Sequence, residues 1–519
     1  MSNGEGLPTG WATASLSDWV RPGRERVLPT DHKHLPFIGM EHVEAHTMRL
    51  LGKGLSETMK SSSVHFFSGD ILYGRLRPYL NKVLRPEFEG LCSAEFIVFP
   101  KSPDFIGGFL QYRLNATDFL SFASHLNEGD RPRVDFDQIG KFFIRLPPVP
   151  EQRRIVVKIE ELFSDLDAGV AALQRVKAKL KRYRAAVLKA AVEGKLTAEW
   201  RKKNRAKETG QQLLDRILVE RRRKWEEEQL AGFEKAGKKP AAGWKDKYKE
   251  PVGVDESTLA ELPDGWCWAT AEQCCEYLTK GTTPARDELF ADQGDIPFIK
   301  IYNLTKDGSL NFDVNPTFIS SNTHNHSVMV RSHVYPGDVL MNIVGPPLGK
   351  VSIVPDLFHE WNVNQAIAIF RPLSRFDRKF LCHLLLTEQI LSWATKQAKA
   401  TAGQFNLTLE IVRRLPLPMP PEREQQEIAK ELDRRLSLVR ESEVQINANL
   451  KRSARLRQSI LKRAFEGKLV PQDPNDEPAS VLLDRIKAGS NNTPGRTNTT
   501  TRTRLNRRSS STKQQKEKA

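Results

Sequence analysis

The stretch "RYRAAVLKAAVEGKL" (Arg182–Leu196) returns with changes as "RLRQSILKRAFEGKL" (Arg455–Leu469), at a constant offset of 273 residues (455 minus 182). Each copy is charged, carries apolar residues at helical spacing and closes on the same four letters. Glycine is a frequent terminator of helices, so each copy is predicted to be the end of a helix. A chain of 519 residues is too long for one core, and the pair indicates a duplicated plan.

The repeat continues upstream of the two helix ends and downstream of them. "PPVPEQRRI" (Pro147–Ile155) falls on "PPEREQQEI" (Pro420–Ile428) at the same offset, without a gap. The other matching pairs are "GDILYGRLRPYLNKV" (Gly69–Val83) with "GDVLMNIVGPPLGKV" (Gly337–Val351), "AEFIVF" (Ala94–Phe99) with "QAIAIF" (Gln365–Phe370), "LPTGW" (Leu7–Trp11) with "LPDGW" (Leu262–Trp266), and "LLDRI" (Leu213–Ile217) with Leu482–Ile486. A period this long argues for duplicated domains and against a solenoid.

Both proline-led segments carry the signals of long helices. Prolines stand at the start, carboxylates fill the first turn, and glycine follows the end, as the helix dipole and capping rules favour. Apolar residues recur at alternating spacings of three and four, which predicts a coiled coil. Those of the first helix are Ile155, Ile159, Leu162, Leu166, Leu173, Val176 and Leu180, and those of the second are Ile428, Leu432, Leu436, Val439, Ile446 and Leu450. The simplest arrangement packs the two stripes on each other antiparallel; separate helices packed on their own units or on another subunit remain an alternative.

The globular units mix short β-like runs with helical ones, so the predicted fold class is mixed α/β, with two globular domains, two long helices in an antiparallel coiled coil, and a pseudo-twofold internal repeat. The predicted segments are 1–146 (first globular domain), 147–196 (central helix), 197–261 (charged connector with a helix over 208–229), 262–416 (second globular domain), 417–469 (distal helix) and 470–519 (basic, largely disordered tail).

The charge of the chain is concentrated in two places. The formal net charge is +16, which favours a polyanionic partner, nucleic acid first. Residues 201–249 hold 16 Lys/Arg against 8 Asp/Glu, and residues 487–519 hold 9 against 1, so these two segments account for the whole excess. They can hold phosphates without reading sequence.

The sequence argues against secretion and against membrane insertion. The five cysteines include no CxxC pair, and free thiols are expected. The N-terminus has no apolar signal region and no run of 18 apolar residues occurs. We therefore expect a soluble, cytoplasmic protein.

No catalytic constellation stands out in the sequence. "GPPLGKV" (Gly345–Val351) has three residues between its glycines where a phosphate loop needs four, and Val351 replaces the Ser/Thr that binds Mg²⁺. "NPTF" (Asn315–Phe318) lacks the second proline of the amino-methyltransferase motif, and "EGK" lacks the upstream Pro-Asp of a nuclease. His324 and His326 have no further ligand at metal-binding spacing. We expect no metal or cofactor in this chain.

Two polar globular domains without chemistry suggest a bipartite reader of DNA. Reading bases needs side chains that present paired donors and acceptors to base edges. The candidates of the first domain are Tyr73, Arg75, Arg77, Tyr79, Lys82, Arg85, Arg131 and Arg133, and those of the second are Lys300, Tyr302, Asn303, Asn342, Lys350, Gln404 and Asn406.

Two variable globular units, each followed by a "PPxxEQ" helix that ends in "EGKL", resemble the specificity subunit of a type I restriction-modification enzyme. The resemblance extends from Leu7 to about Lys487 and rests on the doubled motifs in combination. "LYGRLRPYLNKV" and "VGPPLGKV" are also similar to the strand-loop pattern of that family. The charged connector and the low-complexity tail from Gly489 are not explained by it.

The resemblance implies a non-catalytic subunit. Each globular unit would be a target recognition domain that reads one half of a split double-stranded DNA site, and the helical pair would act as spacer. Two modification subunits would dock mainly on the helices and methylate adenine with S-adenosylmethionine. Restriction subunits would add ATP- and Mg²⁺-dependent cleavage, and none of these cofactors would bind this chain.

Three other functions stay open at this point. The chain could be the DNA-binding scaffold of a related methyltransferase, a coiled-coil adaptor without a DNA role, or a stand-alone enzyme with a degenerate centre. Binding of S-adenosylmethionine or Mg²⁺ by the isolated chain would indicate the last of these.

Overall fold

The computed structural model describes residues 6–491 except 292, 346, 399, 402 and 403, and it leaves the side chains of 400, 401, 404, 490 and 491 undescribed. The chain forms two compact units. Unit 1 comprises Met1–Ala171 and Leu450–Ala519, and unit 2 comprises Ala172–Asn449. The boundaries fall inside the two long helices, so each helix contributes to both units, whereas the predicted segments kept each helix whole.

Unit 1 begins with ten strands and the helices that cover them. The strands are β1 (Ala12–Ser15), β2 (Arg26–Val27), β3 (Pro36–Ile38), β4 (Gly54–Leu55), β5 (Ser63–Phe66), β6 (Ile71–Gly74), β7 (Val83–Leu84), β8 (Gly90–Ser93), β9 (Phe96–Phe99) and β10 (Phe143–Leu146). The helices are α1 (Leu16–Trp19), α2 (Gly107–Asn115), α3 (Thr117–Ser124), α4 (Phe136–Ile139) and α5 (Val149–Val192).

Unit 2 follows with the same kinds of element. Its helices are α6 (Ala198–Lys203), α7 (Gly210–Lys235), α8 (Ala271–Cys274), α9 (Ser321–Asn325), α10 (Arg378–Leu385), α11 (Glu388–Gln397), α12 (Leu409–Arg413) and α13 (Glu422–Phe465). Its strands are β11 (Cys267–Thr270), β12 (Cys275–Lys280), β13 (Phe290–Ala291), β14 (Ile296–Ile299), β15 (Thr317–Ile319), β16 (His333–Val334), β17 (Val339–Asn342), β18 (Val344–Gly345), β19 (Val351–Ile353), β20 (Trp361–Val363), β21 (Ile367–Pro372), β22 (Ala400–Thr401), β23 (Gln404–Asn406) and β24 (Pro416–Met419).

The sheets of the two units share a core of equivalent strand pairings, to which each unit adds its own strands. The order β5-β8-β3-β4 corresponds to β16-β20-β14-β15, and β7-β6-β9 corresponds to β19-β17-β21. Unit 1 has the pair β1-β10, a sheet of order β2-β5-β8-β3-β4 and a sheet of order β7-β6-β9; unit 2 has β11-β24, β13-β15-β14-β20-β16, β12-β21-β17-β19 and the small sheet β18-β23-β22. Each five-stranded sheet contains one parallel pair, β3 with β8 and β14 with β20. The pseudo-twofold repeat predicted from the sequence is therefore present in the strand order.

The two long helices run antiparallel, as predicted. α5 and α13 have 44 residues each. In unit 2, Lys177 Nζ donates to Asn447 Oδ1 at 2.8 Å and Arg184 pairs with Glu443 at 3.8 Å, so residue numbers rise on one helix as they fall on the other. In unit 1, Arg457 pairs with Asp167.

The predicted apolar stripe is buried most fully where each helix begins. Ile155 and Ile159 lie in the core of unit 1, and Ile428, Leu432, Leu436, Val439 and Ile446 are buried in unit 2. Leu162, Leu166, Leu173, Leu180 and Leu450 are half-buried. Val176 is 45% exposed, so it is not part of the buried stripe within this chain.

A buried glutamate anchors the start of α13 in unit 2. Glu424, from the motif "PPEREQ", accepts from Trp266 Nε1 at 3.0 Å, from Thr197 Oγ1 at 2.7 Å and from Arg201 Nε at 2.9 Å. Arg201 also donates to the carbonyl of Gly194 at 2.7 Å. The first "EGKL" end, the "LPDGW" segment and the start of α13 are thus joined through one carboxylate.

Unit 1 repeats this junction with neutral partners. Glu151 accepts from Trp11 Nε1 at 2.9 Å and from Gln472 Nε2 at 3.2 Å, and the same amide of Gln472 lies 2.8 Å from the carbonyl of Gly467. Burial raises the pKa of Glu151, and the hydrogen bonds from Gln472 and Trp11 offset that rise only in part. Each "EGKL" end therefore packs on a tryptophan of the "LPxGW" motif, in the unit that holds the start of the other long helix.

A helix that follows each "EGKL" end completes each unit. In α7, Leu213, Leu214 and Ile217 enter the core of unit 2, and the amide of Gly210 donates to the carbonyl of Gly265 at 2.6 Å. The equivalent helix of unit 1 is α14 (Ala479–Asn491), the last of the described elements.

The first part of the segment predicted as a tail, from residue 470, is therefore folded and includes α14. The amide of Ala479 donates to the carbonyl of Gly10 at 2.9 Å, and Leu482 and Leu483 are buried in unit 1. The reason is the second "LLDRI" motif, whose apolar residues share one helix face. The rest of the predicted disordered tail, from 492, lies outside the described residues.

Truncation of the leucine that α14 buries tests its role. Leu482 is 3% exposed, so Leu482→Ala is expected to lower the free energy of unfolding by about 2–5 kcal/mol, through lost burial and a cavity. Urea unfolding followed by circular dichroism measures it. Val481→Ala is the matched control, because Val481 is 42% exposed; equal effects of the two changes would contradict the assignment.

The two buried glutamates should respond differently to the same substitution. Glu424→Gln places an amide group against Trp266, Thr197 and Arg201, which are all donors, and should lower the unfolding free energy by about 2–4 kcal/mol. Glu151→Gln should cost less, about 1 kcal/mol, because it keeps an oxygen for Trp11 Nε1 and loses only one hydrogen bond, from the neutral amide of Gln472.

The raised pKa of Glu151 supports the milder expectation. The folded chain favours its neutral carboxyl, so this group's contribution to stability decreases as pH rises from the ordinary value of 4.5 through the folded pKa. A glutamine mimics the neutral form. Urea unfolding at pH 7, monitored by tryptophan fluorescence, compares the variants, and a larger loss for Glu151→Gln would refute this reasoning.

Candidate nucleic-acid interface

A glycine-aspartate turn opens the central hairpin of each unit. Gly69 and Gly337 have φ of +89° and +93°, a conformation that glycine adopts without strain. The next residues, Asp70 and Asp338, are buried. Each carboxylate receives two hydrogen bonds from one arginine: Arg24 at 2.6 and 2.7 Å for Asp70, Arg371 at 2.9 and 2.7 Å for Asp338.

The ion pair sets the charge state of the buried carboxylate. Burial acts to raise the pKa of Asp70, but hydrogen bonds from Arg24 and from the amides of Phe67 and Lys101 outweigh it, and the pKa lies below its ordinary value. Asp70 is thus ionised and fixed at the start of β6. These arginines serve the framework of the hairpin and are committed to it.

The two hairpins are closed by equivalent backbone hydrogen bonds, and this shared backbone is called the hairpin frame below. In unit 1 the amide of Gly74 donates to the carbonyl of Lys82 at 2.8 Å; in unit 2 the amide of Asn342 donates to the carbonyl of Lys350 at 3.1 Å. The loops between, residues 75–81 and 343–349, are equivalent in sequence position but different in side chains. Equivalent loops with different residues on one frame are what a reader of two different half-sites requires.

Several unit 1 candidates gather around the first of these loops. The amide of Arg77 donates to the carbonyl of Pro132 at 2.7 Å, and Leu76 forms a β-bridge with Arg133. These backbone contacts place the loop beside residues 131–133; Arg75 and Arg77 are half-buried, and Arg131 is exposed. Tyr79 is 45% exposed. Arg133 is exposed too, but Glu95 holds its guanidinium at 2.6 and 3.1 Å.

One prediction for unit 1 is wrong, and two further candidates have partners within the unit. Tyr73 is 1% exposed and packs edge-to-face on Phe119, so it belongs to the core. The ammonium of Lys82 donates to the carbonyl of Met40 at 2.5 Å and supports the hairpin from within. Arg85 is half-buried and pairs with Glu160 of α5 at 3.9 Å. Both faces of β6 are covered, so all four of its residues are buried, which the residue types alone did not reveal.

The predictions that Asn303 and Asn342 of unit 2 contact DNA are wrong, because both side chains are buried. Asn303 and Asn342 are fully buried. Asn303 Nδ2 donates to the carbonyls of Asn311 and Val314 at 3.1 and 3.0 Å. Asn342 Nδ2 donates to Val344 and Pro347 carbonyls, and its Oδ1 accepts from the amide of Lys350 at 2.8 Å. Both side chains satisfy loop backbone and present nothing outward.

The remaining unit 2 candidates lie near one another. Lys350 Nζ donates to the carbonyl of Ile301 at 3.1 Å, which joins the hairpin to the turn that holds Lys300 and Tyr302. Tyr302 is 39% exposed, and its hydroxyl donates to the carbonyl of Asn315 at 3.0 Å. Asn406 is exposed on β23, which pairs with β18 of the hairpin loop. The backbone of Gln404 lies in the same strand; its side chain is outside the described residues.

The turn at residues 46–48 also reaches this surface in unit 1 and was not among the candidates. The amide of His46 donates to the carbonyls of Leu80 and Asn81, both at 3.2 Å. His46 and Met48 have φ of 64° and 59°. No repeat, glycine or charge pattern marks "EAHTM" in the sequence, so the signal was absent.

The histidines considered for a metal are engaged otherwise. His324 is buried, with Nε2 3.3 Å from Glu360 and its ring stacked on His333 at 3.7 Å, while His326 is exposed. Within residues 6–491, apart from the undescribed positions, no three His, Cys, Asp or Glu side chains converge as metal ligands. In the same part of the chain, no helix is long and apolar enough to cross a bilayer.

The second half of the chain matches a family model. Residues 263–452 fit the model described as "Type I restriction modification DNA specificity domain". The EcoDI specificity subunit of Escherichia coli is 27% identical over 222 residues, which are 41% of this chain and 50% of that subunit. The match thus spans about half the length of that relative.

Two further comparisons cover more of the chain. The StySPI specificity subunit of Salmonella potsdam is 23% identical over 517 residues, 94% of this chain and 97% of that one. A chain from a solved structure of a type I R-M system has a TM-score of 0.62 at 22% identity, over 90% of this chain and 100% of that chain, and shows the same fold. Residues 263–452 thus match the specificity domain of type I restriction-modification systems, and over nearly its whole length the chain is similar to a type I specificity subunit.

Proposed function

We propose that this chain recognises DNA sequence for a type I restriction-modification complex, each unit reading one half of a bipartite site. The observation that carries the proposal is the repeated hairpin: in each unit a Gly-Asp turn with a buried Asp–Arg ion pair opens a hairpin, and the two hairpins present loops of different side chains. A single duplex contacted by two such loops would be read at two separate short sequences. The similarity to type I specificity subunits supports this function, and the positive net charge of +16 favours a phosphate-rich partner.

The duplicated helix junctions support a role as scaffold for two copies of a partner. Trp11–Glu151 and Trp266–Glu424 fix equivalent surfaces in the two units. Repeated surfaces of this kind suit two identical subunits, which we take to be modification subunits, with restriction subunits joining in the full complex. Because the target is cellular DNA, the complex would act in the cytoplasm.

Chemistry would reside in the partner subunits. S-adenosylmethionine, ATP and Mg²⁺ would bind there, since this chain's residues do not suit them. In the loop-like "GPPLGKV" segment, the ammonium of Lys350 is committed to the carbonyl of Ile301, and the following position is Val351. The chain itself would be non-catalytic.

An adaptor without a DNA role is the second reading, and the exposed loops disfavour it. A pure coiled-coil adaptor would need the long helices but not two hairpin frames with Arg75, Arg77, Tyr79 and Asn406 at their surfaces. A DNA-binding scaffold of a related methyltransferase differs only in the absence of restriction subunits.

The assembled complex provides the direct test. Purified with its modification subunits and S-adenosylmethionine, the chain is expected to direct methylation to adenines of one split sequence, mapped by sequencing of the treated DNA. The modification subunits alone serve as control and should not methylate that sequence. Methylation at unrelated sequences would contradict the proposal.

Substitutions in unit 2 separate reading from folding. Asn406→Ala removes an exposed amide and is expected to weaken binding of the complex at one half-site about tenfold, because one lost base contact costs about 1–3 kcal/mol. Asn342→Ala, the matched control, removes a buried amide with three hydrogen bonds and should lower the free energy of unfolding by about 2–4 kcal/mol. Fluorescence anisotropy and urea unfolding measure the two. An Asn406→Ala variant with lower stability and unchanged DNA binding would count against this assignment.

A further inference from the structure

Backbone strain in the described chain is concentrated at one loop of unit 1. Non-glycine residues with left-handed φ are His46, Met48, Arg77, Asn81 and Asn315 in residues 6–491 outside the undescribed positions. Four of the five meet at one place, because the amide of His46 donates to the carbonyls of Leu80 and Asn81. Arginine and methionine adopt this conformation at a steric cost. Such residues persist where the surroundings hold them, and they cluster at ligand-binding sites.

Unsatisfied polar atoms concentrate behind the same loop. In the described part of the chain, ten buried side-chain nitrogen or oxygen atoms have no hydrogen-bond partner. Five of them belong to the loop and the residue behind it: Arg75 Nε, Arg77 Nε, Asn81 Oδ1, and the side-chain Nδ2 and Oδ1 of Asn115. The backbone carbonyl of Asn115 accepts a hydrogen bond from Asn81 Nδ2 at 3.2 Å. Folding alone gives no reason to gather strain and unpaired polar atoms at one loop.

The equivalent loop of unit 2 has glycines at the positions that match Arg77 and Asn81. Gly349 has a left-handed φ of +85°, like Asn81, whereas Gly345 is not left-handed. Arg77 therefore adopts a left-handed φ where the matching residue of unit 2 does not. This conformation costs backbone energy for an arginine, so a compensating benefit is expected.

The expected benefit is the guanidinium of Arg77, which has no carboxylate partner within the described part of the chain. Among the described residues, neither Arg75 nor Arg77 has a carboxylate within 4.0 Å, whereas nearby Arg133 is bound by Glu95. A guanidinium offers two parallel N–H donors, and guanine offers the matching pair of acceptors, O6 and N7, in the major groove. The strained backbone fixes the direction in which the side chain leaves the loop, so little entropy is lost when it binds.

We propose that the loop of residues 75–81, braced by the turn at 46–48, is the base-reading element of unit 1, and that Arg77 reads a guanine of its half-site. This inference rests on the proposed function and adds the residue and the base. Arg75, beside it, holds the same surface positive. Tyr79 at the tip contacts the backbone or an adjoining base.

The test uses the complex of the full chain with its modification subunits, and duplexes in which every base pair of the bipartite site is changed in turn. Arg77→Gly removes the guanidinium but suits a φ of +52°. It is expected to bind the cognate duplex about five- to a hundredfold more weakly, to lose discrimination at one G·C pair only, and to keep or raise the melting temperature. Arg77→Lys retains charge without the bidentate geometry and should recover affinity in part but not discrimination.

Arg145→Gln is the matched control, since Arg145 is exposed on β10 and its loss removes the same charge. It should leave discrimination unchanged at every position.

If Arg77→Gly weakens all duplexes equally and Arg77→Lys restores binding fully, Arg77 contacts phosphate and the proposal is wrong. A lowered melting temperature with unchanged discrimination would make Arg77 structural, which also overturns it. If the wild-type complex itself discriminates no sequence, the proposed function fails and not this inference alone.

Discussion

A buried carboxylate near the N-terminal end of each long helix determines which segments of the chain pack together. Glu151 and Glu424 are 1% and 2% exposed, and an unpaired buried charge or polar group is costly. Each must therefore find donors, and it finds them on segments distant in sequence: a tryptophan indole from the start of a globular unit and side chains that follow an "EGKL" end. One residue thus fixes where a helix begins, where the other helix ends and which globular segment joins them.

The sequence predicts this scaffold well because its constraints are periodic and duplicated. Heptad spacing, proline starts and glycine ends located α5 and α13, and the internal repeat anticipated that both units share a core of strand pairings. The spacing did not reveal that Val176 is exposed in the folded chain. The prediction of a largely disordered tail from residue 470 did not locate α14, because the basic composition outweighed a short apolar motif that α7 also carries.

The reading surface was predictable only in part. Charge and polarity singled out Arg75, Arg77 and Asn406, which are at or near the surface, but they equally singled out Tyr73, Asn303 and Asn342, whose side chains point inward. Which way a side chain points in a four-residue strand depends on the register of its neighbours. Left-handed φ at His46 or Met48 leaves no pattern in the sequence at all, since tertiary contacts impose it. Strain of this kind costs on the order of 1–3 kcal/mol per residue and becomes visible only in the folded chain.

Unit 1 is built from both ends of the chain, and this has a consequence for its synthesis. Its core includes Phe465, whose ring lies 5.4 Å from that of Phe109, and the leucines of α14. Nearly three hundred residues separate Ala171 from Leu450, which a ribosome adds in roughly 15 to 60 s at 5–20 residues per second. During that interval the first half emerges complete in its strands but without the segments that close its core. Unit 2 has all its parts earlier, so the half made first is the half that finishes folding last.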